Sequence, residues 1–172
     1  MVSIRPATVD DQSAIHKIVR SAKINPRGLV WDRFLVATTV DGAVVGVAQI
    51  KLHDHGTREL ASIAVTPSHM KMGIAALLID ALIEPETGDL FLYCERGLAH
   101  FYRRFGFVET ADDRSVPTDL LGDVKFARML MKIVRFIKRS ETQLVVMRRL
   151  ARPFPEPQVR RSLPAPSNEP EM

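Results

Sequence analysis

The chain has 172 residues, 46% hydrophobic and 26% charged, with a formal charge of +4 and Cys94 as its single cysteine. That is the makeup of one globular domain large enough to bury a core, and it excludes an intrachain disulfide and a zinc site of clustered cysteines. No run approaches the roughly 18 apolar residues of a membrane span, and Met1 to Pro6 lacks the apolar stretch of a signal peptide, so a cytoplasmic location is the expectation.

Val2 to Ile4 reads as a short strand. Thr8-Val9-Asp10-Asp11, ahead of Ile15, Ile18, Val19 and Ala22 on one face, has a capping-box pattern and predicts a helix over about 9–22. Asn25-Pro26-Arg27-Gly28 breaks it, and Trp31 follows as a core anchor in a connecting segment. Phe34 to Val40 and Ala43 to Leu52 are strands joined by Asp41-Gly42, a strong hairpin signal. Asp54-His55-Gly56 turns the chain into a third strand, Arg58 to Val65.

Leu60 to Val65 has the composition of a strand buried on both faces. Pro67 and Gly73 then separate it from a helix over about 73–83, in which Ile74, Leu77, Leu78 and Leu82 recur at steps of three and four until Glu84-Pro85 stops it. A strand-to-helix turn of this kind leaves the first helical N–H groups unpaired at the positive end of the helix dipole, which suits a phosphate. Gly73 and Ala75 allow a close approach to the backbone, and Lys71 adds charge.

Leu90 to Cys94 reads as a buried strand, Gly97 to Arg104 as a helix ended by Gly106, and Phe107-Val108 as a further strand. A long helix is predicted from Thr118 to about Lys138, and Leu144 to Met147 is the last strand. Lys125, Arg128, Lys132, Arg135, Lys138 and Arg139 follow one another without an acidic residue, leaving 18 basic against 20 acidic residues elsewhere; the basic character is local. Six of the 11 prolines fall in residues 151–172, which reads as a disordered tail. The expectation is a single α/β (α+β) domain over 1–150, with a mixed, mostly antiparallel sheet flanked by helices and an inserted basic helix at about 119–139.

Three local patterns then resemble the GCN5-related N-acetyltransferases (GNAT), over roughly residues 2–150. Ile4-Arg5-Pro6-Ala7 with Asp11 is similar to the family's first strand and helix start. Val65-Thr-Pro67 followed by Met70-Lys71-Met72-Gly73-Ile74-Ala75 stands where the family has its pyrophosphate loop, and Ala99-His-Phe-Tyr102-Arg-Arg-Phe-Gly106-Phe107 is similar to its A-x-x-Y-x-x-x-G-F. Met70 stands where Gln or Arg is usual, Lys71 where many members have Arg or Gly, and Glu95 in place of a frequent Asn.

The resemblance implies an acetyl-coenzyme A dependent N-acetyltransferase without a metal, binding its co-substrate through Ile63, Ala64, Val65, Met70, Lys71, Met72, Gly73, Ile74 and Ala75. Its acceptor would be an amine of a small molecule or protein. The transfer would be direct, with Tyr102 as general acid beside the sulfur. Glu59, at the start of the central strand, has two open readings: the base for the amine proton, or a structural charge, either solvated at the strand end or partnered with Arg58. His53, His55 and His100 are weaker candidates for the base, and Cys94 reads as a packed thiol. The basic helix is read as a solvated face over a packed stripe. The alternative reading is a binding module of this fold, with weak or no catalysis, that acts on a partner through its basic helix, by bases such as Arg128 and Lys132. Nucleic acid is not the expected partner, whereas pairing of two copies is within the family's range.

Overall fold

The structure is a computed structural model that describes residues 2–138 and 143–151, with side chains up to 129 in the long helix. The predicted tail lies outside the described residues apart from Ala151, as does Arg139. Seven strands form one sheet: β1 (Val2–Pro6), β2 (Phe34–Thr39), β3 (Val44–Leu52), β4 (Arg58–Val65), β5 (Leu90–Glu95), β6 (Val108–Glu109) and β7 (Leu144–Arg149), in the order β1-β2-β3-β4-β5-β7-β6. Only β4 and β5 run parallel; every other neighbouring pair is antiparallel.

Among the described residues four helices cover the sheet: α1 (Gln12–Ser21), α2 (Ile74–Ile83), α3 (Ala99–Arg103) and α4 (Thr118–Lys138). The predicted first helix opens instead with a 3-10 turn over Val9–Asp11. Asp11 accounts for this start: its Oδ2 accepts from the Thr8 backbone N–H at 2.7 Å while Arg5 grips both carboxylate oxygens. The third predicted helix likewise starts later, at Ala99, behind a 3-10 turn over Arg96–Leu98.

Alternation along the strands gives the sheet two faces. Leu60, Leu90, Leu92 and Cys94 pack with Ile74, Leu78, Leu82, Tyr102 and Phe107 under α2 and α3. On the opposite face Val36, Val47 and Ala64 meet Ile15, Ile18 and Val19 of α1, and Phe91 and Val146 meet Val116, Leu120 and Val124 at α4. Trp31 is half-buried at the edge of the α1 cluster. The expected packed stripe of α4 can be followed among the described side chains up to residue 129. Leu120 and Val124 are buried, but Phe126 and Met129 are exposed, Phe126 lying under the Arg27 guanidinium at 4.6 Å.

Candidate active site

The parallel pair is short. Arg58 registers with Leu90 and Glu59 with Phe91, and there the pairing ends. Beyond that point β4 stays with β3 and β5 with β7, so a gap opens in the middle of the sheet. This corrects the expectation of a strand buried on both faces: Ile63 and Val65 are only half-buried because the neighbour on one side has turned away. A register shift between Val47 and Gln49 marks a bulge, with Ser62 opposite in the left-handed region at φ +55°. The Gln49 amide donates to Ser62 Oγ at 2.9 Å and steadies that uncommon backbone.

At the far end of β4 the chain makes a 3-10 turn over Pro67–His69 and enters α2 through Lys71 at φ +64° and Gly73 at φ +79°. Gly73 is the residue before the helix and has no side chain with which to cap it, so the first N–H groups of α2 stay available. A Cβ at Gly73 would meet nothing within 4 Å, so the space beside it is open. A hollow of about 460 Å³ lies there, lined by Ile63, Ala64, Val65, Met70, Lys71, Gly73, Ile74 and Ala75. Of the residues predicted to bind the cofactor, Met72 alone does not line it. His69, Ala76, Phe101 and Arg104 complete the lining, so its charged groups are Lys71 and Arg104 and none is acidic. The sequence pattern missed Arg104, since only the folding of α3 against the loop brings it there.

Tyr102 is on the same face of the sheet, 8% exposed, with its ring edge-on to Phe101 and Phe107. Burial, with the neighbouring Cys94 a smaller cause, raises its hydroxyl well above the ordinary tyrosine range, so the group stays protonated at neutral pH. Cys94 is buried on β5, and burial pushes its thiol up to about 11, with Glu109 and Glu95 adding to the shift; it is not a thiolate nucleophile at neutral pH.

Glu59 is at the apex of the gap and is 4% exposed, so it is not a solvated strand-end charge. Nor does it pair with Arg58, whose guanidinium holds Glu86. Instead Glu59 Oε2 lies 2.7 Å from His53 Nε2 and 4.0 Å from Lys51 Nζ, and Lys51 in turn donates to Asp123 of α4 at 2.7 Å. Tyr93 completes the cluster from β5, its hydroxyl pushed up to about 12 by burial and by the charges of Glu59 and Asp123. Donor atoms of His53, Glu59 and Asp123 lie within 4.8 Å of one another, a spacing a cation would need. The Lys51 ammonium already lies against both carboxylates, however, and the nearer imidazole nitrogen is taken up by Glu59.

The turn that carries His53 is fixed from two sides. The His53 N–H donates to Thr57 O at 2.9 Å, and Asp119 of α4 accepts from the His55 N–H and the Thr57 hydroxyl. His55 and His100, the other candidate bases, are exposed, His55 in the same turn as His53.

Residues 31–109, the segment that contains the gap, the loop and Tyr102, match the model of the acetyltransferase (GNAT) domain family. That segment, a little under half of the chain, carries the likeness to the GNAT family. Among solved structures it is similar to an N-acetylglutamate synthase from Neisseria gonorrhoeae complexed with coenzyme A and N-acetyl-glutamate, at 18% identity and TM-score 0.69, over 89% of this chain and 36% of that one. This chain therefore spans about a third of that synthase. It is also similar over nearly full length to Rv2747 from Mycobacterium tuberculosis, solved in complex with CoA, at 20% identity and TM-score 0.62, over 86% of this chain and 98% of that one. A GNAT-family acetyltransferase from Staphylococcus aureus gives 14% identity and TM-score 0.63, over 87% of this chain and 99% of that one. No curated protein matches the chain in sequence. Among the described residues no helix is long and apolar enough to cross a membrane.

Proposed function

We propose that the protein transfers an acetyl group from acetyl-coenzyme A to a primary amine of a small molecule or protein. The observation that carries this reading is the gap between β4 and β5. It begins at Glu59 and runs along Ile63, Ala64 and Val65 to the hollow at the start of α2. A phosphate-bearing chain fits the hollow, where uncapped helix N–H groups, Lys71 and Arg104 meet without a carboxylate. An arm reaching through the gap would present its end to the opposite face of the sheet, at the Glu59 cluster. Two of the similar structures described above hold coenzyme A, which supports the choice of co-substrate.

Acetyl-coenzyme A supplies an activated thioester carbonyl. The chain's part is to orient it, to polarise it with backbone N–H groups on the open edge of β4, and to manage two protons. The amine must lose a proton as its nitrogen bonds to the carbonyl carbon, and Glu59 supplies the negative charge that draws that proton. The sulfur leaves with the C–S electron pair and needs a proton in return, for which the protonated Tyr102 hydroxyl is the candidate donor.

Acetyl-coenzyme A is expected to raise the melting temperature, and a panel of primary amines to give acetylated product with release of free thiol. Absence of binding at millimolar co-substrate overturns the reading in favour of a binding module.

A further inference from the structure

We propose that the base is a dyad, in which His53 Nδ1 takes the amine proton and Glu59 orients and balances the imidazole; this rests on the acetyl-transfer reading above. The carboxylate and imidazole are 2.7 Å apart and nearly closed to solvent, with side-chain exposures of 5% for Glu59 and 7% for His53. An ionised carboxylate has no proton to give, so Nε2 must be the donor, and in a neutral imidazole this leaves the lone pair on Nδ1. Among the described residues Nδ1 has no hydrogen-bond partner.

Charge counting supports the same assignment. The cluster that holds His53 consists of Glu59 of β4 and Asp123 of α4, with Lys51 of β3 and Tyr93 of β5 against those two carboxylates. Two carboxylates against one ammonium leave a single negative charge, Tyr93 being protonated at neutral pH. A proton arriving on His53 therefore brings the cluster to neutrality, whereas the charge of Glu59 already faces the Lys51 ammonium. The imidazole is also held in place, since the 53–57 turn is closed on itself and tied to α4 through Asp119.

The step balances simply. As the N–C bond forms, the amine proton passes to Nδ1, directly or through one water; the imidazolium stays bonded to the Glu59 carboxylate, and the proton is released to solvent after the product leaves. His53 would be a catalytic residue on this account, and Glu59 a positioning residue.

The test uses the full chain. His53→Ala should lower kcat roughly 100-fold with unchanged affinity for coenzyme A, and added imidazole should restore part of the loss. The acid limb of the wild-type kcat profile should be absent from that variant. His53→Asn serves as a second variant if the alanine protein does not fold. On the wild-type protein, nitrogen NMR of the imidazoles should find His53 protonated at Nε2, and Glu59→Gln should disturb that tautomer. Two results overturn the dyad: His53 protonated at Nδ1, or His53 variants within about threefold of wild-type kcat while Glu59→Gln is inactive, which would leave Glu59 as the base by itself. A wild-type protein that acetylates no amine overturns the acetyl-transfer reading itself, and this is seen before any variant is made.

Discussion

Gly46 of β3 lies directly under Ile74 of α2: a Cβ on Gly46 would come within 2.9 Å of Ile74 Cγ2 and 3.2 Å of Leu78 Cδ1. Ile74 is the first residue of α2, so this contact sets how closely the start of that helix, and with it the loop hollow, seats on the sheet. Gly46→Ala should therefore destabilise the fold by about 1–3 kcal/mol through overpacking and weaken coenzyme A binding as the helix start is displaced. Ile74→Ala removes the atom in conflict, so a double-mutant cycle in denaturant should show the two losses to be less than additive.

Asp11 gives a prediction about acid. Hydrogen bonds from Arg5 are the largest cause holding its carboxyl at about 2, with Thr8 adding to them against the cost of burial. A folded-state value below the unfolded one means that the stabilisation is present above the unfolded value, about 3.9, and is lost as the pH falls towards the folded value. Because the Arg5 side chain is 39% exposed, screening reduces the contribution to roughly 1–2 kcal/mol. Unfolding free energies of wild type and Asp11→Asn should thus differ at pH 6 and converge between about pH 4 and pH 2.

The departure at Met70 can be tested by reversal. Its side chain is 54% exposed beside the loop hollow, so Met70→Arg should cost the fold little. A guanidinium there adds a partner for phosphate, and affinity for coenzyme A should rise by about three- to tenfold at low salt, with most of the gain lost at high salt. Gly73→Ala should act in the other direction. Its φ of +79° penalises any Cβ, by about 1 kcal/mol, and the added methyl would narrow the open space beside the loop. Isothermal titration of both variants checks the pair.

The sequence made the frame of the site legible because that frame is local. Asp41-Gly42 closes the hairpin with Gly42 at φ +83°, and Gly73 enters α2 with the left-handed backbone that only glycine adopts at low cost. Two other left-handed residues of the site, Ser62 and Lys71, carried no such signal, and at Ser62 the uncommon backbone is steadied by a tertiary contact, the Gln49 amide. The partners of Glu59 were hidden for a related reason. Asp123 is 72 residues from Lys51, and nothing in either segment announces the other. Arg58, adjacent in sequence and opposite in charge, was the obvious partner for Glu59. Strand alternation turns the two side chains to opposite faces, which sends Arg58 to Glu86 and Glu59 to His53.

Tyr102 separates chemistry from packing most cleanly. Its ring packs edge-on to Phe101 at 5.3 Å and to Phe107 at 6.4 Å, and phenylalanine would keep both contacts. Its hydroxyl has no hydrogen-bond partner among the described residues, so Tyr102→Phe leaves no donor or acceptor of the fold unpaired. The melting temperature should hold or rise slightly, and affinity for coenzyme A should stay the same. If the hydroxyl protonates the departing sulfur, kcat with a primary amine should fall by roughly two orders of magnitude. The loss should shrink with a thioester whose thiol is more acidic, because such a leaving group needs less help. If the residue serves packing alone, Tyr102→Phe will match wild type with both thioesters.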